Sequence, residues 1–70
     1  MFTHFRSLRR STIVLHTRDG QSFRGVLVGD YRDCVVLANA VLLADEGVAD
    51  LAGSIGVPRS NVAWWQEHLP

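Results

Sequence analysis

The stretch Thr12-Ile13-Val14-Leu15-His16-Thr17-Arg18-Asp19-Gly20-Gln21-Ser22-Phe23-Arg24-Gly25-Val26-Leu27-Val28-Gly29-Asp30 decides the fold. Thr12 to Thr17 is β-branched and apolar, and Asp19-Gly20 then supplies the pair that accepts the positive φ angles of a tight hairpin turn. Gln21 to Asp30 reads as the returning strand, with Phe23 and Leu27 on one face. Gly25 sits between them, where a glycine inside a strand marks a bend or bulge.

Working outward, Tyr31-Arg32-Asp33 is a polar break, and Cys34 to Leu43 is almost continuously apolar, as a strand covered on both faces would be. A helix is the rival reading of that run, and Val35, Val36 and Val41 together with the hairpin context favour a strand. Asp45 to Gly53 carries Asp45, Glu46 and Asp50 with Gly47 and Gly53, which fits an exposed loop. Ser54 to Val57 resumes as a short strand. Pro58 ends its pairing, and Arg59-Ser60 makes a tight connection into a last strand over Asn61 to Gln66. Ahead of the sheet, Phe2, Phe5 and Leu8 lie three apart with arginines between them. That spacing predicts one or two turns of helix, too short to stand without support from a sheet or a neighbour.

The expected architecture is mainly β, a short N-terminal helix followed by a strongly bent five-stranded open barrel, because so small a sheet encloses an interior only by curling. It is a single domain over residues 1–70, with 1–10 as helix or arm, 11–66 as barrel and 67–70 as tail. At 70 residues the chain has no core to divide between two domains. Its 47% apolar and 20% charged residues mark a folded globule, neither a disordered polyelectrolyte nor a bilayer span.

Seven arginines and no lysine balance seven acids to a formal net charge of zero, so a general pull toward phosphate is missing and nucleic-acid binding would have to be local. Cys34 is the one cysteine and there are three histidines, so no internal disulfide forms and no metal-ligand spacing appears; neither a metal nor a cofactor is expected. Domains below about 70 to 80 residues without such staples commonly gain stability from copies of themselves. No run approaches roughly 20 apolar residues or the length a signal peptide needs, so the expected location is the cytosol or an assembly made there, not the membrane and not the secreted space.

No paired carboxylates, Ser/His/Asp set or phosphate-cradling glycine loop has adequate context, and an enzyme is not expected. Tyr31 is a candidate to stack a base or to pack at an interface. Arg59 after Pro58 suits a phosphate or a partner's carboxylate, or else an ion pair of its own assembly. Cys34 opens an apolar run and reads as a buried thiol, and His16 as a residue of the pleat. Trp64 and Trp65 are adjacent on one strand, so their rings project to opposite faces. One fills the barrel, and the other is covered by the N-terminal helix, a neighbouring copy or an external partner.

The string Asp19 to Asp30 followed by Val35-Val36-Leu37-Ala38-Asn39-Ala40 resembles the first motif of the Sm and Sm-like family, and Arg59-Ser60-Asn61-Val62 resembles its second. The likeness runs from about Ser11 to Gln66 and rests on the ordered set Gly20, Phe23, Gly25, Leu27, Leu37, Arg59 and Val62. It implies the helix-plus-bent-barrel fold and a closed ring of about five to eight copies, the fourth strand of one subunit pairing with the fifth of the next. On that basis Ile55, Val57, Val62, Trp64 and Trp65 are the expected subunit interface.

RNA-binding members of the family hold a base with an aromatic or histidine and an asparagine before the third strand and an arginine followed by glycine before the fifth. Here Tyr31, Arg59 and Ser60 are the candidates for contact with RNA or a partner. Cys34 stands at the asparagine position and Ser60 at the glycine, while Asp30 and Asp33 flank Tyr31 and would repel phosphate. Val57 to Trp64 is also similar to the second motif of short Sm-like proteins encoded by phages of actinobacteria. That similarity implies a structural or assembly module, plausible in a phage virion and its tail, with other proteins of the assembly as partners. An RNA-binding ring with weak, degenerate base pockets is the alternative.

Overall fold

The computed structural model describes residues 10–67; the expected N-terminal helix and the end of the tail fall outside the described residues. The chain forms β1 (Thr12–Thr17), β2 (Ser22–Asp30), β3 (Cys34–Ala44), β4 (Gly47–Asp50), β5 (Ile55–Pro58), a single 3-10 turn (Arg59–Asn61) and β6 (Val62–Glu67). All pairings are antiparallel. The sheet runs β4-β3-β2-β1-β6, and β5 also pairs with β3.

The β1–β2 turn departs from a two-residue turn with both central residues left-handed. The Thr17 amide donates to the Gln21 carbonyl at 2.8 Å and the Gly20 amide to the Thr17 carbonyl at 3.1 Å, while of Asp19 and Gly20 only Gly20 has a positive φ, +91°. This is a type I turn closed by a left-handed glycine. Asp19 is used differently: its carboxylate accepts the Thr17 hydroxyl, whose oxygen in turn accepts the Gln21 amide at 3.0 Å.

Curvature comes from register shifts. Arg24 pairs with Val41 but Val26 with Ala38, so Gly25 alone opposes both Asn39 and Ala40. Asn39 adopts φ +53°, a conformation asparagine tolerates better than most residues. The inward positions of β3 therefore change phase, from Val35 and Leu37 to Ala40, and the strand folds over its own core. At this corner a Cβ on Gly25 would lie 2.9 Å from the Leu37 Cβ and 3.0 Å from the Ala38 carbonyl oxygen, which is why the position is glycine. A second shift, between Leu27 and Gly29, leaves Val28 bulged on the outside.

The core is Ile13, Leu15, Leu27, Val35, Leu37, Ala40, Val57 and Val62, with Phe23, Ile55 and Trp65 packed against it. Fully burying each large member of this set contributes about 1.5–3 kcal/mol.

Two expectations are corrected. Asp45 to Gly53 is not wholly a loop, since β4 pairs with the far half of β3, from Val41↔Asp50 to Ala44↔Gly47. Every residue of β4 is exposed on both faces, so its sequence carries no burial alternation. The sheet accordingly has six strands rather than five. β4 and β5 lie along one edge of β3, separated where Ala52 (φ +56°) and Gly53 (φ +146°) turn left-handed. Among the described residues, no helix is long and apolar enough to cross a membrane.

Candidate functional site

The β2–β3 and β5–β6 connections meet at one point. The Arg59 guanidinium forms an ion pair with the Asp30 carboxylate, and its Nε–H donates to the Tyr31 carbonyl. The Arg59 amide donates to the Asp33 carbonyl at 2.9 Å, and the Tyr31 amide to the Cys34 carbonyl at 2.9 Å. The paired side chains are only 17% (Arg59) and 11% (Asp30) exposed, so water screens the pair poorly and each charge depends on the other. Asp30 is therefore not an acid facing phosphate, as its sequence position suggested. It is the partner of Arg59, and the pair lies within one subunit.

Tyr31 is 59% exposed, and its ring edge rests on the backbone of Gly29, where an added Cβ would come within 2.5 Å of the Tyr31 Cε2. One part of the ring is thus held against the strand while the rest stays open to solvent, which is the arrangement that stacking on a planar group requires. Ser60 belongs elsewhere. Its carbonyl accepts the Arg18 Nε–H at 3.0 Å and the Asn61 carbonyl accepts the Arg18 amide at 2.8 Å, tying the β1–β2 turn to the 3-10 turn. Cys34 is half-buried at the start of β3, opposite Pro58. Tyr31 and Arg59 are thus brought together, while Ser60 serves a different contact.

The residues expected at a subunit interface divide. Val57 and Val62 have side chains buried in their own core, Ile55 and Trp65 are half-buried against it, and Trp64 is 53% exposed. The two tryptophans do project oppositely. One face of Trp64 lies on His16, with ring centroids 3.8 Å apart and planes at 15°. The His16 Nδ1 is 2.8 Å from the Ser22 hydroxyl and its Nε2 3.2 Å from the Gln66 amide oxygen. Both ring nitrogens of His16 therefore lie within hydrogen-bond distance of a polar side chain. Sequence reasoning missed this pair; the signal is the β1–β6 register, which sets His16 opposite Trp64.

Among the described residues no three His, Cys, Asp or Glu side chains gather as a metal site. What the geometry defines is a small, strongly bent antiparallel barrel left open between β5 and β6, with two connections latched by one ion pair.

Neither a protein-family model nor a curated protein matches the sequence. Solved structures do match it. One chain of the P. aerophilum SmAP1 heptamer superposes with a TM-score of 0.87 over 100% of this chain and 95% of that one, at 18% identity. A heptameric archaeal Sm protein gives 0.84 over 94% and 97%, at 19% identity. The Sm protein of Pyrococcus abyssii, solved in complex with a uridine heptamer, gives 0.84 over 96% of each chain, at 25% identity. The chain has the Sm-like fold.

Proposed function

We propose that the chain is a non-enzymatic subunit of a homo-oligomeric ring that acts as a structural or assembly module. The observation that carries this reading is the pair of strand edges at the barrel's opening: among the described residues, β6 pairs only with β1, and β5 only with β3. Exposed edges of this kind are a liability that a cyclic assembly removes, by laying one copy's β5 edge on the next copy's β6. Two of the structurally similar proteins are heptamers, which supports a ring in the range of about five to eight copies. A component of a larger particle, such as a phage virion, is the form of this role that the resemblance of Val57 to Trp64 suggests. Native mass spectrometry tests the ring: a closed oligomer of one stoichiometry is expected, and a monomer at micromolar concentration overturns the reading.

A second reading, an RNA-binding ring, is favoured by the Tyr31 ring seated on Gly29 and by the uridine heptamer held by the similar Pyrococcus protein. Against it stand the zero net charge, Cys34 in place of an amide side chain, and an Arg59 whose charge is answered by Asp30. Titration of labelled oligouridine and oligoadenine separates the two. The structural reading expects affinity weaker than about micromolar near physiological salt and no base preference. Tight, salt-sensitive, uridine-selective binding lost in Arg59→Ala selects the RNA-binding ring.

A further inference from the structure

Thr17 is the one buried polar residue among those described, on a strand whose other inward positions are Ile13 and Leu15. Valine has the same branching at Cβ without the hydroxyl, so packing alone does not account for threonine here. The hydroxyl is fully engaged, as a buried polar group must be. It donates to the Asp19 carboxylate, lies 3.2 Å from the Gln21 carbonyl oxygen and accepts the Gln21 amide at 3.0 Å.

What the hydroxyl holds is a peptide prone to rearrangement. Asp19-Gly20 is the one Asp-Gly pair of the chain. In such a pair the glycine nitrogen, on losing its proton, attacks Cγ of the aspartate, because no side chain on the glycine shields it. The new N–Cγ bond closes a five-membered imide, and a carboxyl oxygen leaves as water. Water then reopens the ring. Cleavage of the N–Cγ bond restores aspartate, whereas cleavage of the bond from nitrogen to the backbone carbonyl carbon leaves isoaspartate, whose main chain runs through Cβ and Cγ. One water leaves and one returns, so no other reactant is required. In the folded hairpin both reacting groups are taken: the Asp19 carboxylate by the Thr17 hydroxyl, and the Gly20 N–H by the Thr17 carbonyl at 3.1 Å. Residues 18–21 are all exposed, so water reaches the site once those contacts open.

We propose that Asp19-Gly20 is a modification site at which isoaspartate forms, and that the Thr17 hydroxyl guards it by holding the carboxylate and the turn until the hairpin opens. The change is not confined to the turn. A main chain one atom longer displaces Gly20 from the Thr17 carbonyl and shifts Arg18 beside it. The Arg18 amide and Nε–H reach the Asn61 and Ser60 carbonyls at 2.8 and 3.0 Å, so the tie between this hairpin and the 3-10 turn that begins at Arg59 loosens with it. Isoaspartate at residue 19 thus records time spent open and transmits it to the β5–β6 connection.

The test follows isoaspartate at residue 19 by peptide mapping of protein held warm at neutral pH, in buffer and in urea. Methyl transfer from S-adenosylmethionine by an isoaspartyl methyltransferase gives an independent count. The folded parent is expected to accumulate isoaspartate about tenfold more slowly than the urea-unfolded chain, the factor that a hydrogen bond to a charged group supplies. Thr17→Ser keeps the hydroxyl and should match the parent. Thr17→Val should approach the unfolded rate while retaining the parent's circular dichroism spectrum. Thr17→Val as slow as the parent, or Thr17→Ser as fast as Thr17→Val, overturns the guard, and an unfolded chain that forms no isoaspartate at residue 19 overturns the site. Should Thr17→Val fail to fold, the parent decides: its rate in graded urea should follow exchange of the Gly20 amide, and a rate unrelated to that exchange overturns the proposal.

Discussion

Gly25→Ala isolates the steric demand of the barrel's corner. The added methyl would stand 2.9 Å from the Leu37 Cβ, 3.0 Å from the Ala38 carbonyl oxygen and 3.4 Å from the Ala40 Cα. Apolar carbons prefer separations of about 3.5–4.0 Å, so the Leu37 contact alone is short by at least half an ångström. None of the three atoms is the end of a flexible side chain; two belong to backbone and one is a Cβ fixed to it. Relief therefore requires β2 and β3 to part at the point where Asn39 and Ala40 already bulge. Overpacking of this kind costs about 1–3 kcal/mol, and the lower unfolded-state entropy of alanine returns about 0.4–1 kcal/mol. A net loss of about 1 kcal/mol is expected, which for so small a domain lowers Tm by roughly 4–8 °C. The assay is thermal unfolding at one fixed subunit concentration, because association makes Tm concentration-dependent. A Gly25→Ala protein that melts within a degree or two of the parent refutes the account of why the corner needs glycine.

Three further outcomes follow from the contacts described. Asp30→Ala removes the carboxylate paired with the poorly exposed Arg59 guanidinium and should cost about 2–4 kcal/mol by denaturant unfolding, whereas Asp30→Ala with Arg59→Met should recover most of it. His16→Ala removes one face of the Trp64 stack, and a loss of about 1 kcal/mol with a shift in tryptophan emission is expected; emission identical to the parent would contradict the stack. Val62→Lys puts a charge into the core of a strand that also borders the opening, and it should yield unfolded chain by circular dichroism rather than folded monomer.

The residues that revealed the fold were those whose role is local. Thr12 to Thr17 alternates in burial, Gly20 turns left-handed and Gly25 has a crowded Cα, and each of these is written into a few neighbouring positions. β4 left no such mark, because a strand exposed on both faces needs neither alternation nor apolar residues. The bend at Asn39 was hidden for a different reason: the residue sits in an apolar run, and its left-handed φ is set by the register with β2. At the site, Tyr31 and Arg59 were legible as candidates, but their relation was not. Arg59 finds Asp30 across the chain only once β3 pairs with both β2 and β5, and His16 finds Trp64 only once β1 pairs with β6.

The division of one edge of β3 between β4 and β5 sets the timescales on which parts of a single strand exchange their amide protons. Near Val35 and Leu37, opening the ladder means dismantling the core that Val57 helps to fill. From Val41 to Ala44 the outer partner is β4, whose residues are all exposed, so that hairpin end can separate from the sheet without opening the core. Local opening of this kind lies well below the global unfolding free energy. Deuterium uptake should accordingly be fast at Gly47 to Asp50, and slow at the near half of β3 for as long as the barrel itself stays closed.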